Sequence, residues 1–229
     1  MKNSKGIPKV VFVLGGVVVL FVILWSLGIF KFNVSVRKSL PETTAPQQTV
    51  RTKAEEVTPT PQSQLTPQAV DFSVAGGKVN VSMRIPLGWV KGNSPKAEFI
   101  VGSPTPEKLS SGQTFTVNIN AIGGPHEAGF KTFSDYQASW KDSMLKQYPS
   151  LQFLSDTTTN IDGMDTYMLE VTNALPDGTR LHQVQYLFYV DDKTAFAVTG
   201  TVPDAFWNKY ADVIKLSIES IKKTSTESQ

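Results

Sequence analysis

The 229-residue chain contains no cysteine, which excludes a disulfide scaffold, a Cys-ligated zinc site, a thiol nucleophile and a lipid-modified N-terminal cysteine. Histidine is almost as scarce, with only His126 and His182. No DxDxDG loop, GxSxG elbow, HExxH helix, GxGxxG fingerprint or Walker-type loop occurs. A charge excess of one sign is also missing, since 22 Lys+Arg face 20 Asp+Glu for a formal net charge of +2. Hydrophobic residues still make up 40% of the chain, which excludes wholesale disorder.

The small net charge is a sum over two unlike pieces. Up to Val70 there are 8 basic and 3 acidic residues, and from Asp71 onward 14 and 17, giving +5 and −3. The C-terminal piece has no basic stripe, and phosphate contacts need clustered Lys and Arg, so nucleic-acid binding is not expected of it.

Most of the apolar character before residue 70 lies in one run. Residues 10–30 read VVFVLGGVVVLFVILWSLGIF, uncharged and held between Lys9 and Lys31. As a helix these residues span about 31 Å, close to the roughly 30 Å of a bilayer's hydrocarbon core. The run predicts a single transmembrane helix behind a short basic tail, residues 1–9, with the lipid bilayer as its partner. Ser26-Leu27-Gly28 resembles a signal-peptidase site, but the run exceeds the 7–15 residues usual for a cleaved signal peptide. An uncleaved anchor is therefore the expectation. Three lysines before the run face Lys31, Arg37 and Lys38 after it, nearly a tie by the positive-inside count. The short basic tail and the long spacer favour a cytoplasmic N-terminus and an extracytoplasmic C-terminal part.

Residues 31–70 form that spacer. Within 41–68, Pro, Thr and Gln occupy 17 of 28 positions, too few large apolar side chains to offset the entropy of ordering, and the prolines favour an extended chain. The segment reads as a disordered tether, and residues 225–229 as a disordered tail.

Residues 71–224 have the size of one domain. Alternation predicts strands at Val79-Val81-Met83-Ile85 and Phe115-Val117-Ile119-Ala121, with a shorter one at Ala97–Val101. Phe133, Tyr136, Trp140, Met144 and Tyr148 then recur at helical spacing behind Thr132 as N-cap, and Pro149 ends the helix. Four strands follow at Leu151–Ser155, Met164–Thr172, Arg180–Val190 and Thr194–Thr201, joined by turns at Asp162-Gly163, Pro176-Asp177-Gly178 and Asp191-Asp192-Lys193. A last helix opens at Pro203-Asp204. Runs of antiparallel strands with helices packed on them define the α+β class.

This order of elements, with Ile85-Pro86-Leu87-Gly88-Trp89 closing an early strand, resembles the PsbP/Mog superfamily over about residues 71–222. The resemblance includes the Phe133-to-Trp140 helix and the Asp162-Gly163-Met164 turn into Tyr167-Met168-Leu169-Glu170. It also takes in the strand Gln183-Val184-Gln185-Tyr186-Leu187-Phe188 and the closing helix after Pro203. The superfamily covers PsbP proteins of photosystem II, Ran-binding Mog proteins and DcrB-like envelope lipoproteins. It implies an α/β/α sandwich around an antiparallel sheet and a non-catalytic binding or assembly role. The anchor and tether set this chain apart from both the photosynthetic and the Ran-binding members, so the resemblance carries the module type rather than either of their specific roles.

No residue stands out as catalytic, cofactor-binding or metal-ligating. His126 with Glu127 after Gly123-Gly124-Pro125 reads as a loop, and His182, in an alternating strand, as a sheet-surface residue. Asp162, Asp165, Asp177, Asp191 and Asp192 have the chemistry of turns more than of a cation site. Trp89, Trp140 and Trp207 read mainly as core. The expectation is a membrane-anchored extracytoplasmic binding or assembly module, without a cofactor, that contacts a protein or cell-envelope partner. Its alternatives are a tethered hydrolase or metal-dependent enzyme with a site dispersed over the loops, and a passive envelope spacer.

Overall fold

A computed structural model describes residues 65–125 and 132–224. The expected membrane span at 10–30, most of the spacer, His126 and the tail lie outside the described residues. Among those described, no helix is long and apolar enough to cross a membrane.

The elements in chain order are β1 (Val70–Val74), β2 (Val79–Met83), β3 (Val90–Lys91), β4 (Phe99–Gly102), β5 (Glu107–Lys108), β6 (Thr114–Phe115) and β7 (Asn118–Pro125). After them come α1 (Phe133–Gln147), β8 (Gln152–Ile161), β9 (Met164–Ala174), β10 (Arg180–Asp191) and β11 (Thr194–Pro203). A 3-10 turn (Asp204–Phe206), α2 (Trp207–Glu219) and β12 (Lys222–Lys223) complete the chain. Seven strands pair in the order β3-β4-β7-β11-β10-β9-β8, a second sheet runs β1-β2-β12, and β5-β6 is a small hairpin. All these pairings are antiparallel, as the α+β expectation requires.

Alternation along β10 separates two cores. Val184, Tyr186 and Phe188 face one side and pack with Val198, Ile214 and Ile218, the last two from α2. Leu181 and Leu187 face the other and pack with Leu169, Tyr136, Trp140 and Met144, the last three from α1. The helices therefore cover opposite faces of the sheet, and β1 and β2 add Phe72, Val74, Val79 and Val81 to the α2 side. Every buried residue of both cores lies between Phe72 and Ile221, so residues 65–224 contain both cores and have the size of a domain that folds on its own.

The local signals explain the elements. Thr132 caps α1 by accepting from the Asp135 amide at 3.2 Å, and α1 ends two residues before Pro149. In Ile85-Pro86-Leu87-Gly88-Trp89, Gly88 takes φ +79°, and the Trp89 amide closes the turn on the Pro86 carbonyl at 3.1 Å. A side chain at Gly88 would strain that conformation.

Several boundaries differ from the sequence expectation. The strand expected at 115–121 is split, because β6 pairs with β5 whereas β7 pairs with β4 and β11. The strand expected at Leu151–Ser155 begins at Gln152 and continues to Ile161 as β8. Its residues Ser155–Asn160 are all exposed, so an edge strand paired on one side leaves no alternation to read. At the start, the fold takes in residues assigned to the spacer by composition. Leu65 is buried and bridges to Pro86, and the Thr66 amide donates to the Ile85 carbonyl at 2.9 Å.

Candidate functional site

The main cluster of titratable side chains forms where β9, β10 and α2 meet. Residue alternation puts Arg180 and His182 on the same side of β10 as Val184, and Glu170 sits opposite Val184 in the β9 register. Asp204 follows directly after β11, Trp207 opens α2, and Lys215 lies about two turns further along it.

His182 is the centre of this cluster, only 5% exposed. Its Nδ1 is 3.0 Å from Asp204 Oδ1 and its Nε2 is 2.9 Å from Glu170 Oε1. The Trp207 ring stacks flat on the imidazole, with centroids 3.7 Å apart and planes 6° from parallel. Lys215 Nζ donates to Glu170 Oε2 at 2.7 Å and lies 5.4 Å from the centre of the Trp207 ring. Burial opposes ionisation of Glu170, but the bonds from Lys215 and His182 outweigh it and hold the carboxyl below the ordinary glutamate value. Nearby, the Tyr186 hydroxyl donates to Glu219 Oε1 at 2.8 Å. Burial and that carboxylate push the phenol far above its ordinary range.

The expectation of a sheet-surface His182 is thus corrected, because α2 covers that face. The structure also limits what the imidazole can do. Both ring nitrogens are engaged by carboxylates and one face is covered by indole, so the imidazole serves the packing of α2 on the sheet in this state. Asp204 and Glu170 lie on opposite nitrogens of the ring, so the three side chains do not converge on one point. Among the described residues, no group of three His, Asp or Glu forms a metal site.

Beside this network lies a solvent-open groove of about 350 Å³. Its walls are the β5–β6 hairpin at Lys108, Leu109 and Ser110, the turn before β10 at Gly178, Thr179 and Arg180, and the start of the 3-10 turn at Pro203 and Asp204. Asp204 belongs to both features. Arg180 Nη2 donates to Thr172 Oγ1 at 3.1 Å and to Gln152 Oε1, and its Nε is 4.0 Å from Asp204 Oδ2. The hairpin is tied down by Glu107, which accepts from Lys209 Nζ at 2.6 Å and from the Tyr210 hydroxyl, both on α2. Burial raises the Glu107 pKa, but these two bonds prevail and keep it low.

The remaining candidates resolve into structural roles. The Asp162 carboxylate accepts from the Lys223 amide at 2.7 Å, Asp177 from Thr179 at 3.0 Å, and Asp191 from Lys193 at 2.8 Å. Asp165 takes a longer bond of 3.4 Å from Asn160. Trp140 is buried on the sheet-facing side of α1, and Trp89 packs edge-on against Tyr210 at 6.3 Å. Trp207 is the exception, since it covers His182.

Sequence reasoning did not single out Glu170, Lys215, Asp204 or Arg180 as a group. One signal was present, a lone carboxylate at Glu170 in the otherwise apolar stretch Tyr167-Met168-Leu169. The sequence had no means of pairing it with Lys215, 45 residues away.

Comparison with known proteins agrees with this architecture. A sequence profile described as PsbP matches residues 82–223. No curated protein sequence matches the chain. Among solved structures, LpqN of Mycobacterium tuberculosis, described as involved in cell envelope biogenesis, is similar with a TM-score of 0.53 at 13% identity. The match covers 69% of this chain and 91% of LpqN. Cyanobacterial PsbP (CyanoP) of Synechocystis is similar with a TM-score of 0.48 at 12% identity, over 76% of this chain and 98% of that one. The Saccharomyces cerevisiae Ran-binding protein Mog1p gives a TM-score of 0.45 at 14% identity, over 67% and 94%.

Proposed function

The chain belongs to the PsbP family, and from that premise we propose that it is a tethered, non-catalytic binding or assembly module. In this reading residues 10–30 anchor it in the membrane with the N-terminus in the cytoplasm, and residues 31–64 act as a spacer. The domain from residue 65 to 224 then contacts a protein or cell-envelope component outside the cytoplasm. The observation that carries the non-catalytic part is the engagement of His182. The one described histidine is held by Glu170 and Asp204 and stacked under Trp207, an arrangement that ties α2 to the sheet and occupies both imidazole nitrogens. The involvement of LpqN, a structural relative, in cell envelope biogenesis supports an envelope partner.

Placement and binding are tested together. Protease treatment of intact cells should digest the domain while leaving the N-terminal tail protected, and the chain should fractionate with membranes. Crosslinking in membranes should give a defined adduct with the full chain and none with a chain truncated after Val70. A domain protected from external protease would overturn the placement. An adduct identical for both chains would leave the domain as a passive spacer.

A further inference from the structure

We propose that the groove between the β5–β6 hairpin, the turn before β10 and the 3-10 turn binds a small organic oxyanion, a carboxylate or phosphate carried on an apolar body. The proposal deepens the reading of this domain as a binding module and rests on it.

Charge is the first argument. Two cations line the groove, Lys108 and Arg180, against a single carboxylate, Asp204. That carboxylate is already engaged, with one oxygen 3.0 Å from His182 and the other facing Arg180. A cationic guest would meet two like charges, whereas an anion would complete the set.

Preorganisation is the second. Arg180 is held at Nη2 by Gln152 and Thr172 and its Nε faces Asp204, so the guanidinium is oriented before any ligand arrives, with Nη1 left to meet it. An oriented guanidinium binds oxyanions with little further loss of side-chain entropy. Lys108 is placed by a different route. Successive strand residues point to opposite sides, and its neighbour Glu107 is bound to Lys209 and Tyr210 of α2. Anchoring Glu107 on the α2 side turns Lys108 toward the groove, and among the described residues Lys108 has no ion-pair partner.

The third argument is the remaining lining. Ser110 and Thr179 supply hydroxyls, and Leu109, Pro203 and Phe206 supply apolar surface. A volume of about 350 Å³ is at the small end of ligand pockets, suited to one charged group on a short hydrocarbon or aromatic body.

The test uses residues 65–224, which contain both cores, and four probes sharing one six-carbon chain: hexanoate, hexyl phosphate, hexanol and hexylammonium. Binding is followed by amide chemical-shift perturbation in 0.15 M chloride. One or both of the anions should saturate shifts confined to Lys108–Ser110, Gly178–Arg180 and Asp204–Phe206, and which of them does so identifies the oxyanion. Hexanol and hexylammonium should bind at least about tenfold more weakly, because each lacks the charge-assisted bonds. Lys108→Gln, at an exposed and unpaired position, should weaken anion binding without changing the melting temperature. Arg180→Gln should weaken it further, and Arg180→Lys should restore part of it. No saturable anion binding, equal binding of hexanol, shifts centred elsewhere, or full binding by Lys108→Gln and Arg180→Gln would each overturn the proposal. The membrane crosslinking above is independent of these probes, so loss of the anion site and loss of the binding-module reading are separable outcomes.

Discussion

Replacing Gly200 by alanine puts a methyl group where α2 meets the sheet. Gly200 lies in β11, and a Cβ built there falls 2.2 Å from Ile214 Cγ2 and 3.4 Å from Val184 Cγ1. Ordinary carbon contacts need about 3.5–4.0 Å, so Ile214 has to retreat by about 1.3 Å or more. It has nowhere to go, being fully buried and locked in the α2 core. Overpacking of this kind costs about 1–3 kcal/mol, less the roughly 0.5–1 kcal/mol that alanine gains over glycine through the unfolded chain. For a domain of this size each kcal/mol lowers Tm by about 2–4 °C, so a fall of several degrees is expected in a thermal melt. The clash also lifts the helix that carries Trp207 and Lys215, so the fluorescence of Trp207 over His182 should change with it. Ile214→Ala alone should cost about 2–5 kcal/mol. It also removes the clashing atom, so Gly200→Ala/Ile214→Ala should be more stable than the sum of the single variants by about 1 kcal/mol or more. A Gly200→Ala protein that melts with the wild type, or a strictly additive double variant, would refute the claim that glycine is required by the seat of α2.

Three further outcomes follow from the site and the fold. Glu170 has its folded-state pKa below the ordinary 4.5, so its contribution to stability is complete above that value and lost as pH falls through the folded one; urea midpoints should drop on acidification in the wild type and less so in Glu170→Gln. Tyr186→Phe removes the bond to Glu219 and should cost about 1.5–3 kcal/mol by the same assay, since the acceptor is a carboxylate. Leu65→Ala should destabilise the domain by about 2 kcal/mol in urea unfolding, and a chain starting at Asp71 should be weaker than one starting at Leu65, because Leu65 and Thr66 pack on and bond to the Ile85-Pro86 segment.

Much of the fold was legible because it is written in local rules. The α1 boundaries follow from Thr132 and Pro149, and the β8–β9 and β10–β11 hairpins from Asp162-Gly163 and Asp191-Asp192-Lys193, whose side chains and backbone conformations make those turns. The illegible parts lacked a local signal. β8 is exposed along most of its length and shows no alternation, and β5 and β6 have only two residues each. The site was the least legible part. His182, Glu170, Asp204 and Lys215 come from four elements, and nothing in the spacing of residues 170, 182, 204 and 215 indicates that they touch.

The sequence alone was enough to separate an apolar run, a Pro/Thr/Gln-rich stretch and an acidic α+β domain, since composition, periodicity and turn chemistry act over a few residues. Tertiary structure decided where the charges of that domain meet. Only the packing of α2 across β9 and β10 buries His182 between two carboxylates, and only the anchoring of the β5–β6 hairpin to α2 brings Lys108 to the same groove as Arg180. Hydrogen bonds and ion pairs act over a few ångströms, and a distance of that kind between residues 45 apart in the chain, as Glu170 and Lys215 are, exists only once the chain has folded.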